Sequence, residues 1–329
     1  DDYGNDGSKP ACAWDDSDAR QALVSRLVND ALTIIDAIDG VDLDEDQARL
    51  VGLLALVAGQ DVEPDPDGGD GAWRITQGVA KDRVISTVDP ESRHMHKSRS
   101  VYRDGYKAHI AIEPDTGIIT GCAFTPANAG DGPTGMELVA DEPAGTEILG
   151  DSAYGSGESL AAVEGAGHVP VIKPWPLHRN PKLGADQFSR DDFSIDYRAN
   201  TVTCPNGITT HISDNGYATF GARCRGCPVR SRCTSATNGK ILTISDNDEL
   251  LAANRARWRN DDDLVADYRQ HRPMVERSIA WLVANNHRRV RFIGVQANQL
   301  GLSLRAAALN LRRLINLGLD HNGTTWNLT

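Results

Sequence analysis

Three carboxylates and four cysteines are the residues of this sequence whose types and surroundings suggest chemistry. Asp89 closes the β-rich run "RVISTVD" just before Pro90, Asp151 closes "TEILGD", and Glu276 stands alone among arginines. Carboxylates at strand ends fall at a sheet edge, where loops build sites. Three that converge repel one another and raise one another's pKa values. A hard divalent cation removes that repulsion, and magnesium favours a few carboxylates together with substrate phosphate oxygens. Two such ions about 4 Å apart activate a nucleophile and stabilise the leaving oxygen of a phosphodiester. Each acid also has a plain structural reading. Asp89 before proline is a good turn residue. Asp151 with Ser152 caps a short turn. Glu276 pairs with Arg272 one helical turn away, worth about 0.3–0.5 kcal/mol.

The cysteines form a separate signal. Cys204, Cys224, Cys227 and Cys233 give C-x19-C-x2-C-x5-C. Four thiolates with one CxxC suit a single tetrahedral structural zinc ion, with His211 as a substitute for one ligand. A small polar segment has little core of its own, and a metal supplies folding energy in such cases. A cytoplasmic setting disfavours the alternative of disulfides. Cys12 and Cys122 read as small buried hydrophobes.

Charge points to a polyanionic partner in spite of the total. The net charge is −12 over 329 residues. Residues 1–70 hold eighteen acids against four bases, a net −14, whereas residues 268–313 hold nine arginines against one acid, a net +8. Surfaces normally intersperse the two signs, so a stretch nearly free of acids is a candidate working surface rather than only a solvated helix face. Arg272 and the group Arg288, Arg289 and Arg291 are candidate phosphate contacts. So is the cluster His94, His96, Lys97, Arg99 and Arg103 just after Asp89, for which a polar loop is an equal reading. Cations bind phosphate and cannot bind magnesium, so the lone Glu276 is what a metal-holding helix of this kind needs.

The elements that must position these residues follow from pattern. Helices are expected from Asp16 or Ser17 to the Ile35 region and from Asp44 to Ala58. "DVEPDPDGGDG" is a loop. "GYKAHIAIE" and "IITGCAFT", joined by the turn "PDTG", make an antiparallel hairpin. A helix near Thr134–Ala140, the strand ending at Asp151, a helix capped by Ser156 and the strand "HVPVIK" follow, an order that predicts a mixed sheet with helices packed on it. Residues 174–245 are polar and turn-rich. A helix starts at the Asp261–Asp263 cluster, Pro273 is expected to kink or restart it, and a final amphipathic helix runs from Ala297 to Gly318. The expected division is a helical segment over 1–72, a catalytic domain in two parts over 73–173 and 246–329, and a cysteine-rich insertion over 174–245. The best early apolar run, "LVGLLALVAG", is too short to span a membrane. No signal peptide is visible and no methionine precedes Met95, so the expectation is a cytoplasmic chain, free of membranes, that begins inside a longer product.

Seven stretches together resemble the DDE transposases of bacterial insertion sequences, in the branch with a cysteine-bearing insertion before the last acid. They are "ISTVDPESRHMHKS", "DGYKAHIAIEPDTG", "TPANAGDG", "ILGDSAYGSGE", "CPNG", "CRGCPVRSRC" and "YRQHRPMVERSIAWL", and the resemblance spans Trp73 to Gly318. It implies an α/β, ribonuclease-H-like catalytic domain whose three acids are Asp89, Asp151 and Glu276, holding two magnesium ions. It implies the tyrosine-arginine-glutamate signature at Tyr268, Arg272 and Glu276, with the first two near DNA. Relatives often carry a lysine seven residues after the glutamate; Val283 stands there, leaving Arg288 or Arg289 as substitutes. The implied partners are transposon-end and target DNA, with a homodimer assembled on them at the bacterial nucleoid and no small-molecule substrate. Two rivals are a catalytically inactive, zinc-stabilised DNA-binding protein derived from a transposase, and a general nuclease of the same fold.

Overall fold

The computed structural model of this chain describes residues 10–80, 82–98 and 100–328, without the side chains of Lys97 and Ser98. The cation candidate Arg99 lies outside the described residues, as does the side chain of Lys97. The chain divides into two compact units. One comprises Asp1–Lys107, Phe124–Ala129 and Val290–Leu300; the other comprises Ala108–Ala123, Gly130–Arg289 and Gly301–Thr329.

The first unit opens with α1 (Ser17–Ala37) and α2 (Glu45–Gly59). Asp16 caps α1 by accepting from the N–H groups of Asp18 and Ala19. Asp44 and Gln47 form a reciprocal capping box at α2, satisfying two otherwise orphaned donors. A two-stranded antiparallel ribbon of β1 (Val62–Pro64) and β2 (Trp73–Ile75) lies on α1. Ser25 Oγ brackets both backbone groups of Trp73, while Asn29 accepts from the Trp73 indole and donates to Gly71 O. The unit then holds β3 (Arg93–Ser98), the start of β4 (Val101–Ile112) and the end of β5 (Ile119–Pro126), which form one sheet in the order β3-β4-β5.

Two expectations fail here for physical reasons. "RVISTVD" forms no strand: residues 83–86 are irregular and 87–89 form a bend. The Gln60 side chain accepts from Val84 N–H and donates to Val84 O, both at 2.9 Å, so a side chain takes the place of a neighbouring strand. Conversely, the polar stretch after Asp89 is not a loop but the strand β3.

The second unit holds α3 (Asp131–Leu138), β6 (Glu147–Gly150), α4 (Gly157–Gly165) and β7 (Val169–Ile172). Ser156 caps α4 as its sequence suggests. β6 and β7 pair in parallel and, among the described residues, form a sheet of their own instead of joining β3-β4-β5. Leu160, Val163 and Ile172 pack together, each at most 2% exposed, and burying each such side chain stabilises by about 1.5–3 kcal/mol. The polar region follows with β8 (Ser194–Asp196), β9 (Thr201–Thr203), β10 (Thr209–His211), β11 (Tyr217–Thr219), the one-turn α5 (Arg230–Cys233) and β12 (Ile241–Thr243). Its strands pair as β10-β9-β8 and β11-β12. It has a core of its own, made of Phe193, Val202, Ile212, Ala218, Phe220, Cys233 and Leu242. That core contradicts the premise that this segment lacks apolar interior.

α6 (Asp248–Asn260) leads into α7 (Asp262–Leu282), which Asp261 caps through Leu264 N–H. α7 runs through Pro273 without a break. Its buried face, Leu264, Tyr268, Ser278 and Leu282, lies on both sides of the proline. That burial offsets the ~3 kcal/mol a mid-helix proline costs. α8 (Val295–Asn316) and the ribbon β13 (Leu319–His321) with β14 (Trp326–Leu328) end the chain. Arg313 on α8 donates to Ser278 Oγ on α7 and to Gly117 O in the β4–β5 turn. Gly117 has φ +76° there, and a Cβ would lie 2.8 Å from Met274 Sδ, so the turn needs glycine. Among the described residues no helix is long and apolar enough to cross a membrane.

Candidate active site

In the second unit, two of the expected site elements meet. Asp151 follows β6 and starts a 3-10 turn, its Oδ1 accepting from Ala153 N–H at 2.9 Å. Its Oδ2 accepts from Arg272 Nη2, also at 2.9 Å. The plain pairing of Arg272 with Glu276 is thereby replaced: Arg272 reaches Asp151, 121 residues away in sequence, and no ion pair to Glu276 forms among the described residues. Glu276 lies one turn further along α7, exposed to solvent. Spacings of four along a helix place Tyr268, Arg272 and Glu276 on one face.

Tyr268 does not face solvent. It is 8% exposed, packed with Val171 and Leu264, and its ring stands edge-on to Trp258 at 4.9 Å. Burial pushes its hydroxyl pKa up, against a lowering by Arg272. Tyr268, for which a DNA contact is expected, is thus largely buried, one helical turn before Arg272 on α7. Tyr154 is a partner the sequence did not announce. Burial, then Asp131 and Asp151, push its pKa up to about 12. The adjacent Gly135 leaves room for its ring, since a Cβ there would lie 2.6 Å from it.

In the first unit, Asp89 sits in the bend before Pro90, its N–H donating to Ser86 Oγ. Its Oδ1 accepts from Tyr106 Oη at 2.5 Å and from Gly294 N–H at 3.2 Å, while Oδ2 takes no hydrogen bond among the described residues. Glu91 Oε2 accepts from Val295 N–H at 2.7 Å, so two acids hold the start of α8, where a helix end attracts negative charge. Burial, followed by the bond to Asp89, raises the Tyr106 pKa above its ordinary value. Tyr106 sits in the alternating run "GYKAHIAIE", but nothing in that run names Asp89 as its partner.

The nine arginines of residues 268–313 separate into two groups. Arg272, Arg305, Arg312 and Arg313 are engaged within the protein, Arg312 over the Trp281 ring at 4.2 Å. Arg269, Arg277, Arg288, Arg289 and Arg291 are exposed and form no ion pair among the described residues. The last three lie in the irregular link between α7 and α8, next to Asn285 and Asn286, which take positive φ.

Cys204, Cys224, Cys227 and Cys233 are all free thiols and line one cavity of about 20 Å³ in the second unit, with Phe193, Phe220 and Lys240 beside them. The N–H of Lys240 donates to Cys224 Sγ at 3.4 Å. Burial pushes the Cys233 thiol up, Lys240 lowers it, and the other three cysteines raise it further. His211 does not line the cavity. Cys12 and Cys122 are partly buried. Among the described residues no group of three or more histidine, cysteine or acidic side chains has the arrangement of a metal site. Thiols are the donor type that zinc takes, and carboxylate oxygens the type that magnesium takes.

Residues 203–315 match a family described as the transposase DDE domain. No curated protein and no solved structure matches the chain. The matched stretch begins one residue before Cys204, contains Arg272, Glu276 and the exposed arginines, and ends inside α8. From residue 203 to residue 315, then, this chain is similar to the transposase DDE domain.

Proposed function

We propose that the chain is a metal-dependent DNA transposase that cuts at the ends of its element, frees a 3′-hydroxyl and joins it to target DNA. The contact between Arg272 and Asp151 carries this reading: it ties the second acid to the helix of the third, inside one unit, across 121 residues of sequence. Residues 73–173 and 246–329 would then make up a ribonuclease-H-like catalytic domain, with 1–72 as a helical segment and 174–245 as an insertion. Asp89, Asp151 and Glu276 would hold two magnesium ions. That pair, when bound, supplies nucleophile activation and stabilisation of the leaving oxygen. Arg272 orients the Asp151 carboxylate, and Tyr268 anchors the preceding turn of α7 against Val171 and Trp258. Tyr106 and the Gly294 N–H hold one oxygen of Asp89 and leave the other for a cation. The exposed arginines grip backbone phosphates, and DNA ends would bring two copies of the chain together.

One observation favours the second reading, a catalytically inactive DNA-binding derivative. Both oxygens of Asp151 are engaged, by Ala153 N–H and by Arg272. Nicking of DNA that carries the element's ends separates the two: the enzyme cuts only with magnesium or manganese, and the derivative binds without cutting.

Arg288, Arg289 and Arg291 provide a further test. Replacing all three with alanine should weaken binding about equally on any sequence and flatten the salt dependence by about 0.9 per lost phosphate contact. An unchanged slope would make them a solvated face.

We also propose that the four gathered cysteines hold one structural zinc ion. Protein purified without added metal should carry about one zinc per chain. Because the segment has its own apolar core, chelation should lower its melting temperature without unfolding it. Metal-free protein with an identical melting curve would remove zinc from the fold.

A further inference from the structure

The β3–β4 hairpin of the first unit carries a group of rings that the cleavage chemistry does not use. Its register pairs His94 with Asp104 and His96 with Tyr102. Residues two apart on a strand share a face, so these four side chains project together. The His94 ring lies nearly parallel to that of Tyr102, with centroids 5.4 Å apart and planes 20° apart. The His96 ring stands edge-on to both, at 5.3 and 4.6 Å. His94 Nδ1 lies 2.5 Å from Asp104 Oδ1, which fixes the orientation of the imidazole. His96 and Tyr102 are exposed, and exposed Arg103 follows Tyr102. A cross-strand ring pair contributes to hairpin stability, but only about 0.2–1 kcal/mol. That contribution needs neither a solvent-facing imidazole at His96 nor an acid to orient the one at His94.

Position supplies the second part. β4 alternates through Tyr102, Asp104 and Tyr106, and the Tyr106 hydroxyl is bonded to Asp89. Four strand residues span about 13 Å, so the rings lie within a few nucleotides' reach of Asp89. A base paired in a duplex hides its π face in the stack, whereas an unpaired base exposes it.

We propose that His94, His96 and Tyr102 form a stacking platform for an unpaired base of the DNA strand whose phosphate lies at Asp89. This rests on the transposase reading above. Stacking on aromatic side chains tolerates any base, so the platform selects for an unpaired base rather than for sequence.

The test uses the full chain in calcium, which removes cleavage from the readout. The probes are a blunt duplex carrying the element's end and the same duplex with a short single-stranded overhang bearing 2-aminopurine. The wild type should bind the overhang about tenfold more tightly than the blunt duplex, within the range of one stacked base, and should quench the 2-aminopurine. His96→Thr with Tyr102→Thr keeps strand propensity and should abolish both effects while leaving blunt-duplex affinity unchanged. Tyr102→Phe, which keeps the ring and the fold, should retain both. Equal wild-type affinity for the two probes, or quenching that survives in the double threonine variant, would overturn the platform. Loss of both effects in Tyr102→Phe would also overturn it, because a ring alone would not then suffice. A wild type that binds neither probe would instead sink the DNA reading on which it rests.

Discussion

Replacing Glu276 with glutamine should reduce cleavage at element ends by at least about two orders of magnitude, because two-metal chemistry depends on placing both ions. Glutamine keeps the size of the side chain and loses the charge a magnesium ligand needs. The exposure of Glu276 makes the test clean: no hydrogen bond to it is broken among the described residues, so the fold should be unaffected. DNA affinity in calcium should persist or rise, since a negative charge leaves a phosphate-binding surface. Asp89→Asn and Asp151→Asn should behave alike in cleavage, and combining them with Glu276→Gln should add little, because residues acting as a unit are not additive. Asp151→Asn also weakens the contact to Arg272, so its thermal stability should fall slightly where that of Glu276→Gln does not. A Glu276→Gln protein that cuts at the wild-type rate would leave the glutamate a solvated helix residue.

Asp248 should produce the largest loss of stability. It is 4% exposed, lies 2.5 Å from Arg190 and accepts from the Tyr197 hydroxyl at 2.8 Å. Burial, then the bond to Asp248, hold the Tyr197 pKa above its ordinary value. This trio fastens the cysteine-bearing segment to the start of α6, with Arg255 and Asp191 paired as a second fastening at 2.9 Å. Asp248→Ala leaves a largely buried guanidinium without its partner, which costs about 3–5 kcal/mol. Tyr197→Phe removes one hydrogen bond and should cost only about 1 kcal/mol. Denaturant titration of both variants checks the order. A loss below about 1 kcal/mol for Asp248→Ala would mean that water reaches Arg190 and the pair is effectively exposed.

What the sequence made legible was local chemistry. Asp16 and Ser156 cap helices as their side chains suggest, and the helices expected to start near Asp44 and Asp261 do so, because a helix start is decided within a few residues. The β4–β5 hairpin and the β6–β7 pair were legible from alternation and from apolar runs. The misses are long-range. Gln60 satisfies Val84 from 24 residues away, so a strand-like run stays irregular. β3 is polar on both faces and therefore shows no alternation of apolar residues. Pro273 suggests a break, but the buried residues that hold α7 together contact other elements. The core of residues 193–242 draws single residues from β9, β11 and β12 and the rest from α5 and the turns between strands, which no periodicity reveals. The site was half legible. The acids of the candidate site stood out by type and place, while the pairing of Asp151 with Arg272 and of Asp89 with Tyr106 and Gly294 appears only in the fold.

The proposed transposase requires Asp89, Asp151 and Glu276 to serve one metal site. Iron(II), substituted for magnesium in the complex with end DNA and supplied with ascorbate and peroxide, generates hydroxyl radicals that cut the chain beside its ligands. A shared site predicts cuts next to all three positions, suppressed together by excess magnesium and lost together in Glu276→Gln. Cuts at one or two of the positions only, or cuts at Asp89 and Asp151 that persist unchanged in Glu276→Gln, would contradict it.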